Sequence, residues 1–217
     1  MVKTEVFKNI IIFGGSAGAE ISQEIFLQSY IDCNIFFSDT YKTIHDEDRI
    51  LNYEEAIYKI INEGFDYFIA TGDNFMRAKH HKTIKEKTNK EPLNCIHKSA
   101  VVSPSSIIGY GNLICPLSLL HTNSIIGNCT IINSGSIIEH DCMVNDYSQI
   151  SPNTTLCGRV KISEYSFIGA SSVVLPNLHI SKYSVVGAGS VVTDYVTENV
   201  MVAGVPAKIK KTNYYEI

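Results

Sequence analysis

From Ile96 to Val192 every sixth residue is Ile, Leu or Val, without a break. A helix repeats its apolar face every 3.6 residues and a strand every two, so neither accounts for this spacing. A fixed repeat of six is the signature of a β-helix, in which each short unit turns one corner of a coil. Four residues after each aliphatic stands a mostly small side chain, as at Ala100, Ser106, Ser118, Ser124, Thr130, Ser136, Cys142 and on to Ser190; exceptions such as Val160 and Leu178 are still apolar. These two positions are predicted to fill the interior together.

Upstream of this repeat the pattern alternates between strand and helix. "NIIIF", Asn9 to Phe13, is a continuous apolar run, as a parallel strand buried on both faces should be. "GGSAG" follows, then a stretch with apolar residues near helical spacing, then a second strand "CNIFF" that ends at Ser38 and Asp39. "YEEAIYKIINEG" reads as a helix closed by Gly64, which tolerates a left-handed C-cap. "DYFIA" is a third strand, followed by the turn "TGDN" and the polar, helix-like "FMRAKHHKTIKEKTNK". Strand, helix, strand, helix, strand, helix predicts a small parallel α/β domain over residues 1–93, ahead of an all-β domain over 94–217.

Composition narrows the function classes. With 18 Lys and Arg against 22 Asp and Glu, the net charge of -4 argues against a nucleic-acid partner, which calls for concentrated basic residues. No apolar run approaches the roughly 20 residues of a membrane-spanning helix. The N-terminal "MVKTEVFKNIIIFGG" lacks the form of a signal peptide. Six cysteines form no CxxC pair and read as reduced thiols of a cytoplasmic protein. No metal ligand set is visible, and "HDEDR" (His45 to Arg49) reads as a solvated loop.

Against this background "SIIEHDCMV" stands out, because Glu139, His140 and Asp141 interrupt an aliphatic run. Histidine is the side chain that ordinarily titrates near neutral pH and serves most often as a general base. "GGSAG" between a strand and a helix is a second candidate, since backbone N–H groups at a helix start favour anions; the alternative is a tight turn that needs small residues.

The order of "IIIFGGSAG", "FIATGDN", "IHKSAVVSPSSII", "IIEHDCMV", "SFIGASSVVLPN", "VVGAGSVV" and "VAGVPAK" resembles the left-handed parallel β-helix sugar O- and N-acetyltransferases. The nearest resemblance is to bacterial enzymes that N-acetylate UDP-, dTDP- or GDP-linked 4-amino-4,6-dideoxy sugars. It implies a Rossmann-like sugar-nucleotide-binding domain at residues 1–93. It also implies a left-handed β-helix acyltransferase domain at 94–217, ending in the "GVPAK" tail. It implies acetyl-CoA as donor, a homotrimer with active sites between subunits, and a place in surface glycan biosynthesis. O-acetylation of sialic acid or another sugar is the alternative activity, and the nucleobase stays open.

Three hexapeptides per coil, as in that family, would stack residues 18 apart at the strand-pairing distance of about 4.8 Å. Gly158 then follows His140 in its outward column, and Pro152, Ala170 and Ala188 make a bare strip beside it. A bare strip suits an extended acyl-CoA arm. The resemblance implies His140 as general base, Asp141 as its orienting partner and the Gly158 N–H as oxyanion donor, with Asn133 and Glu139 lining the acceptor pocket. Adjacent strand residues point to opposite faces, so spacing alone leaves open whether Asp141 or Glu139 meets the ring. Gln149 stands where the family often has a second, cofactor-contacting histidine. Ala170, Ala188 and Lys208 would line the donor. In the first domain Gly14, Gly15 and Ser16 would hold the diphosphate and Asp39 would meet the base or ribose, with Thr71, Gly72 and Asn74 as the third wall. The family often has a histidine where this chain has Gly18. His45, His80, His81, His97, His121 and His179 are read as surface residues without a role.

Overall fold

The structure, a computed structural model, describes residues 9–15, 17–29, 33–38 and 49–216. The chain divides into two compact units, Met1–Lys98 and Ser99–Ile217.

In the first unit, β1 (Asn9–Phe13), β2 (Asn34–Ser38) and β3 (Asp66–Ile69) form a parallel sheet in the order β2-β1-β3. The apolar run of β1 is explained by its central place, because Ile10, Ile11 and Ile12 are all fully buried. Alternation sorts the two faces. Phe26 of α1 (Ala17–Ser29) meets Phe68 of β3 edge to face at 5.7 Å. On the opposite face Ile11, Phe13, Tyr67 and Ile69 pack with Ala56, Ile57 and Ile60 of α2 (Tyr53–Asn62) and Ile84 of α3 (Asn74–Thr88). Asn52 caps α2 by accepting from the Glu55 N–H at 2.9 Å, and Asp73 caps α3 by accepting from the Met76 N–H at 2.8 Å. Gly64 takes a positive φ of 73° just beyond the end of α2, as expected for a helix stop.

The second unit is a parallel β-solenoid. Leu113–Ile114 pairs with Ile131–Ile132, and the ladder continues through Gln149–Ile150, Phe167–Ile168 and Val185–Val186. Each partner is 18 residues further on, and two more parallel sheets carry the intervening strands, so three hexapeptides make one coil. From Ile114 to Val192 every one of the period-six aliphatics is at most 1% exposed. The small residues between them are equally buried, and most of their hydroxyls are satisfied by the next coil, with Ser118 and Ser190 donating to a carbonyl of their own coil. Ser136 donates to the Ser151 carbonyl at 3.0 Å, Ser148 to Ser163 at 2.8 Å and Thr154 to Gly169 at 3.0 Å.

The corners hold a feature that residue types do not announce. Three residues after the inward aliphatic, the backbone repeatedly turns left-handed: φ is 58° at Asn123, 59° at Asp141, 57° at Tyr147, 61° at Arg159 and 62° at Asn177. A left-handed non-glycine residue costs about 1–2 kcal/mol. A hydrogen bond to the preceding coil offsets this, as where the Asp141 N–H donates to the Thr122 carbonyl at 3.0 Å and the Arg159 N–H to His140 at 3.0 Å. One such corner stacks Tyr147, Tyr165 and Tyr183 at ring spacings of 5.2 and 5.3 Å.

Candidate functional site

His140 leaves the solenoid two residues after the buried Ile138, at the edge of a corner. The left-handed φ of Asp141 swings its carboxylate back toward its neighbour. His140 Nδ1 lies 2.8 Å from Asp141 Oδ2, and both side chains are 44% exposed. The corner thus overrides strand alternation, and Asp141 rather than Glu139 meets the ring. Glu139 Oε2 instead accepts from the His140 backbone N–H at 3.3 Å. The bond with His140, and next that from Asn123 Nδ2 at 3.2 Å, hold the Asp141 carboxyl below the usual carboxylate range.

The imidazole lies directly over Gly158 in the next coil. A Cβ added there would sit 2.6 Å from His140 Nε2 and 2.7 Å from Cε1, so the position admits no side chain while the ring keeps its place. The Gly158 N–H has no protein acceptor among the described residues, whereas the following Arg159 N–H is used by the His140 carbonyl. Behind the pair, burial pushes the Cys142 thiol up to about 11, which keeps it protonated at neutral pH and removes it as a rival nucleophile.

The other solenoid residues singled out in the sequence are spread over neighbouring coils. Asn133 Nδ2 donates to the Ile150 carbonyl at 3.1 Å. Gln149 lies on a strand between Ile131 and Phe167. Ala170 is half-buried and Ala188 exposed, and with Pro152 they present nothing longer than a ring methylene or a methyl along their column. Lys208 is exposed on the last strand, Lys208–Thr212, and faces Asp194 at 3.7 Å.

In the first unit a cavity of about 580 Å3 opens at the carboxyl ends of β1 and β2. Phe13, Gly14, Ser38, Asn52, Tyr53 and His80 are among its walls. Open parallel sheets bind ligands at this end, where connections leave the central strand in opposite directions. Gly14 has a φ of 131°, which side chains rarely adopt, and a Cβ there would sit 3.1 Å from the Ala70 carbonyl, so any other residue would be strained and crowded against the end of β3. Gly15 follows it, while Ser16 and Asp39 lie outside the described residues.

The "TGDN" turn is organised by a residue that sequence reasoning passed over. Arg77, 1% exposed on α3, donates to the carbonyls of Thr71 (2.9 Å) and Gly72 (2.8 Å) and to Asn74 Oδ1 (2.7 Å). Thr71 Oγ1 in turn lies 3.1 Å from His80 Nδ1. Two histidines therefore depart from the surface reading: His80 walls the cavity, and His81 is buried against Glu91 at 3.0 Å. A polar helix sequence conceals both, because the signal lies in what the helix faces. Among the described residues no group of His, Cys, Asp and Glu could hold a metal ion, and no helix is long and apolar enough to cross a membrane.

No protein-family model matches the chain. An uncharacterised protein, L142, of Acanthamoeba polyphaga mimivirus is 34% identical over 116 residues, which are 52% of this chain and 22% of that one. The chain thus matches only about a fifth of that curated relative's length. Among solved structures, a mutant of the perosamine N-acetyltransferase of Caulobacter crescentus in complex with CoA and GDP-perosamine superposes with a TM-score of 0.86. It is 30% identical, over 94% of this chain and 97% of that one. WeeI of Acinetobacter baumannii is 27% identical over 92% of this chain and 98% of its own, with a TM-score of 0.80.

Proposed function

The chain belongs to the hexapeptide-repeat, left-handed β-helix sugar N-acetyltransferases, and from that premise we propose that it moves the acetyl group of acetyl-CoA onto the amine of a nucleotide-linked 4-amino-4,6-dideoxy sugar, with His140 as the general base. The observation that carries the reading is the His140 ring, bonded to Asp141 and lying over a glycine where any Cβ would meet the ring.

The chemistry needs three things from the protein. An amine attacks a thioester only as the free base and must lose a proton as the new C–N bond forms. Nε2 of the part-exposed His140 ring is the nitrogen available to take it, because Nδ1 is engaged by Asp141. The Asp141 carboxylate fixes the tautomer and stabilises the imidazolium, by the logic of catalytic triads. Negative charge that develops on the former carbonyl oxygen needs a preorganised donor, and the Gly158 N–H is unspent. The acetyl donor supplies the activated carbonyl; as its C–S bond breaks the sulfur leaves as a thiolate, which takes up the proton that His140 gained and so ends as the thiol. Its arm is assigned to the strip of Pro152, Ala170 and Ala188, with Gln149 and Lys208 as flanking contacts. Asn133 and Glu139 are assigned to the sugar.

The first unit is read as a Rossmann-like nucleotide-binding domain. Aromatic walls at Phe13 and Tyr53 suit a flat base, and Ser38, Asn52 and His80 supply polar contacts. Gly14, Gly15 and Ser16 are assigned to the diphosphate at the start of α1, Asp39 to the base or ribose, and Thr71, Gly72 and Asn74 to the wall that Arg77 holds. A homotrimer, with sites completed between subunits, and a role in surface glycan synthesis go with this reading.

Thiol release from acetyl-CoA, measured against a panel of UDP-, dTDP- and GDP-linked 4-amino-4,6-dideoxy sugars, tests it. Turnover of one member supports the proposal. Turnover only of a free sialic acid or another sugar hydroxyl would replace it with O-acetylation.

A further inference from the structure

Resting on the reading of His140 and Asp141 as a working pair, we propose that Asn123 is a positioning residue, whose amide holds one oxygen of Asp141 so that the other stays on the imidazole. Asn123 stands 18 residues before Asp141, on the same corner one coil earlier, and Nδ2 donates to Oδ1 at 3.2 Å. Asp141 Oδ2 is the oxygen that meets His140 Nδ1. Both carboxylate oxygens are thereby tied. This matters because rotation about the last bond of an aspartate is soft, and this side chain is nearly half exposed.

Asn123 is itself fixed. It has the same left-handed backbone as Asp141, with φ of 58° and 59°, and its N–H donates to Ser105 Oγ at 3.1 Å, a further coil back. Arg159 braces the corner from the other side: its N–H donates to the His140 carbonyl at 3.0 Å and its Nε to Asn177 Oδ1 at 2.7 Å. Hydrogen bonds that involve a side chain therefore join Ser105 to Asn123, Asn123 to Asp141 and Arg159 to Asn177 along one corner, and the backbone bond from the Arg159 N–H to the His140 carbonyl links the pair to the next coil.

The charged and titratable groups around the pair are few. Glu139 holds the His140 N–H, Arg159 adds positive charge near Asp141, and burial, followed by the charge of Glu139, pushes the Cys157 thiol up. His121, in the preceding coil, donates its N–H to the Ile138 carbonyl at 2.9 Å. None of them occupies the second oxygen of Asp141, and Asn123 does.

Two variants separate positioning from folding. Asn123→Gly keeps the left-handed backbone at no steric cost and removes the amide. Asn123→Asp keeps the shape and puts a carboxylate where the donor was. The primary readout is the pH titration of the His140 ring, followed by NMR with 13C-labelled histidine in the intact protein, which needs no substrate. In Asn123→Gly a looser carboxylate stabilises the imidazolium less, so the titration moves to lower pH. In Asn123→Asp the added negative charge moves it to higher pH. In both, kcat for acetyl transfer falls about tenfold, the effect of about 1.4 kcal/mol on the barrier, while KM changes little.

An unmoved His140 titration in Asn123→Gly overturns the inference, and if that variant does not fold, Asn123→Ser, which also lacks the amide and adds no charge, decides in its place. Opposite shifts with no acetyl transfer, even in the wild type, would leave the positioning role standing and instead remove the proposed function.

Discussion

Asp141 bonds the ring of the residue immediately before it, with Oδ2 2.8 Å from His140 Nδ1. Neighbours on a flat strand face apart. Here the left-handed corner, with φ of 59° at Asp141, brings them together. The same turn recurs at equivalent corners, so the pair exploits a geometry that the solenoid already builds.

Asp141→Asn keeps the side-chain shape and removes the charge that orients the ring. Acetyl transfer at neutral pH should fall by about 10²-fold or more, following the behaviour of triad carboxylates. The carboxyl is held below its usual range by His140 and then Asn123, so it stays ionised throughout the neutral range. An acidic limb in the wild-type pH–rate profile therefore does not arise from Asp141. Losing the anion should move that limb to lower pH, which a kcat–pH series on the variant checks.

Gly158→Ala places a methyl within 2.6 Å of where Nε2 now sits. The backbone tolerates alanine there, because Gly158 is not among the glycines with positive φ. The ring must move instead. The expectation is a loss of about 10²-fold in kcat with little change in Tm, measured by steady-state assay and thermal melting.

His80→Ala removes one polar wall of the cavity in the first unit and the partner of Thr71. On the proposed division of labour, KM for the sugar nucleotide rises about tenfold while kcat stays within about twofold. A fall in kcat at unchanged KM would put the nucleotide elsewhere.

Ile150→Ala opens a cavity at the centre of the solenoid, where Ile150 is fully buried between Ile132 and Ile168. The cost should be about 2–5 kcal/mol. Urea unfolding followed by circular dichroism checks it, with a lower midpoint expected.

The solenoid was readable in the sequence because each inward aliphatic is met by the same environment, so one spacing repeats from Ile96 to Val192. The stacking of His140 on Gly158 followed from the 18-residue coil that the family resemblance supplied. The bond to Asp141 did not follow from spacing, since left-handed corners are occupied here by leucine, tyrosine, arginine and serine as well as asparagine. In the first unit, strands and helices were legible from apolar runs and caps. Arg77 and His81 were not, because burial of a polar residue depends on partners supplied by the turn before α3 and by Glu91 after it. The cavity wall from Ile50 to Tyr53 carries no motif at all. Ser16 and Asp39, both expected at the nucleotide, lie outside the described residues.

The most direct test is acetyl transfer by His140→Asn beside the wild type, with the affinities of both enzymes for CoA and for the accepted sugar nucleotide measured by calorimetry. The account predicts a rate lower by about 10²–10⁴-fold with both affinities within a few-fold of wild type. A variant that transfers acetyl groups within about threefold of the wild-type rate would contradict it, because the proton would then leave without His140.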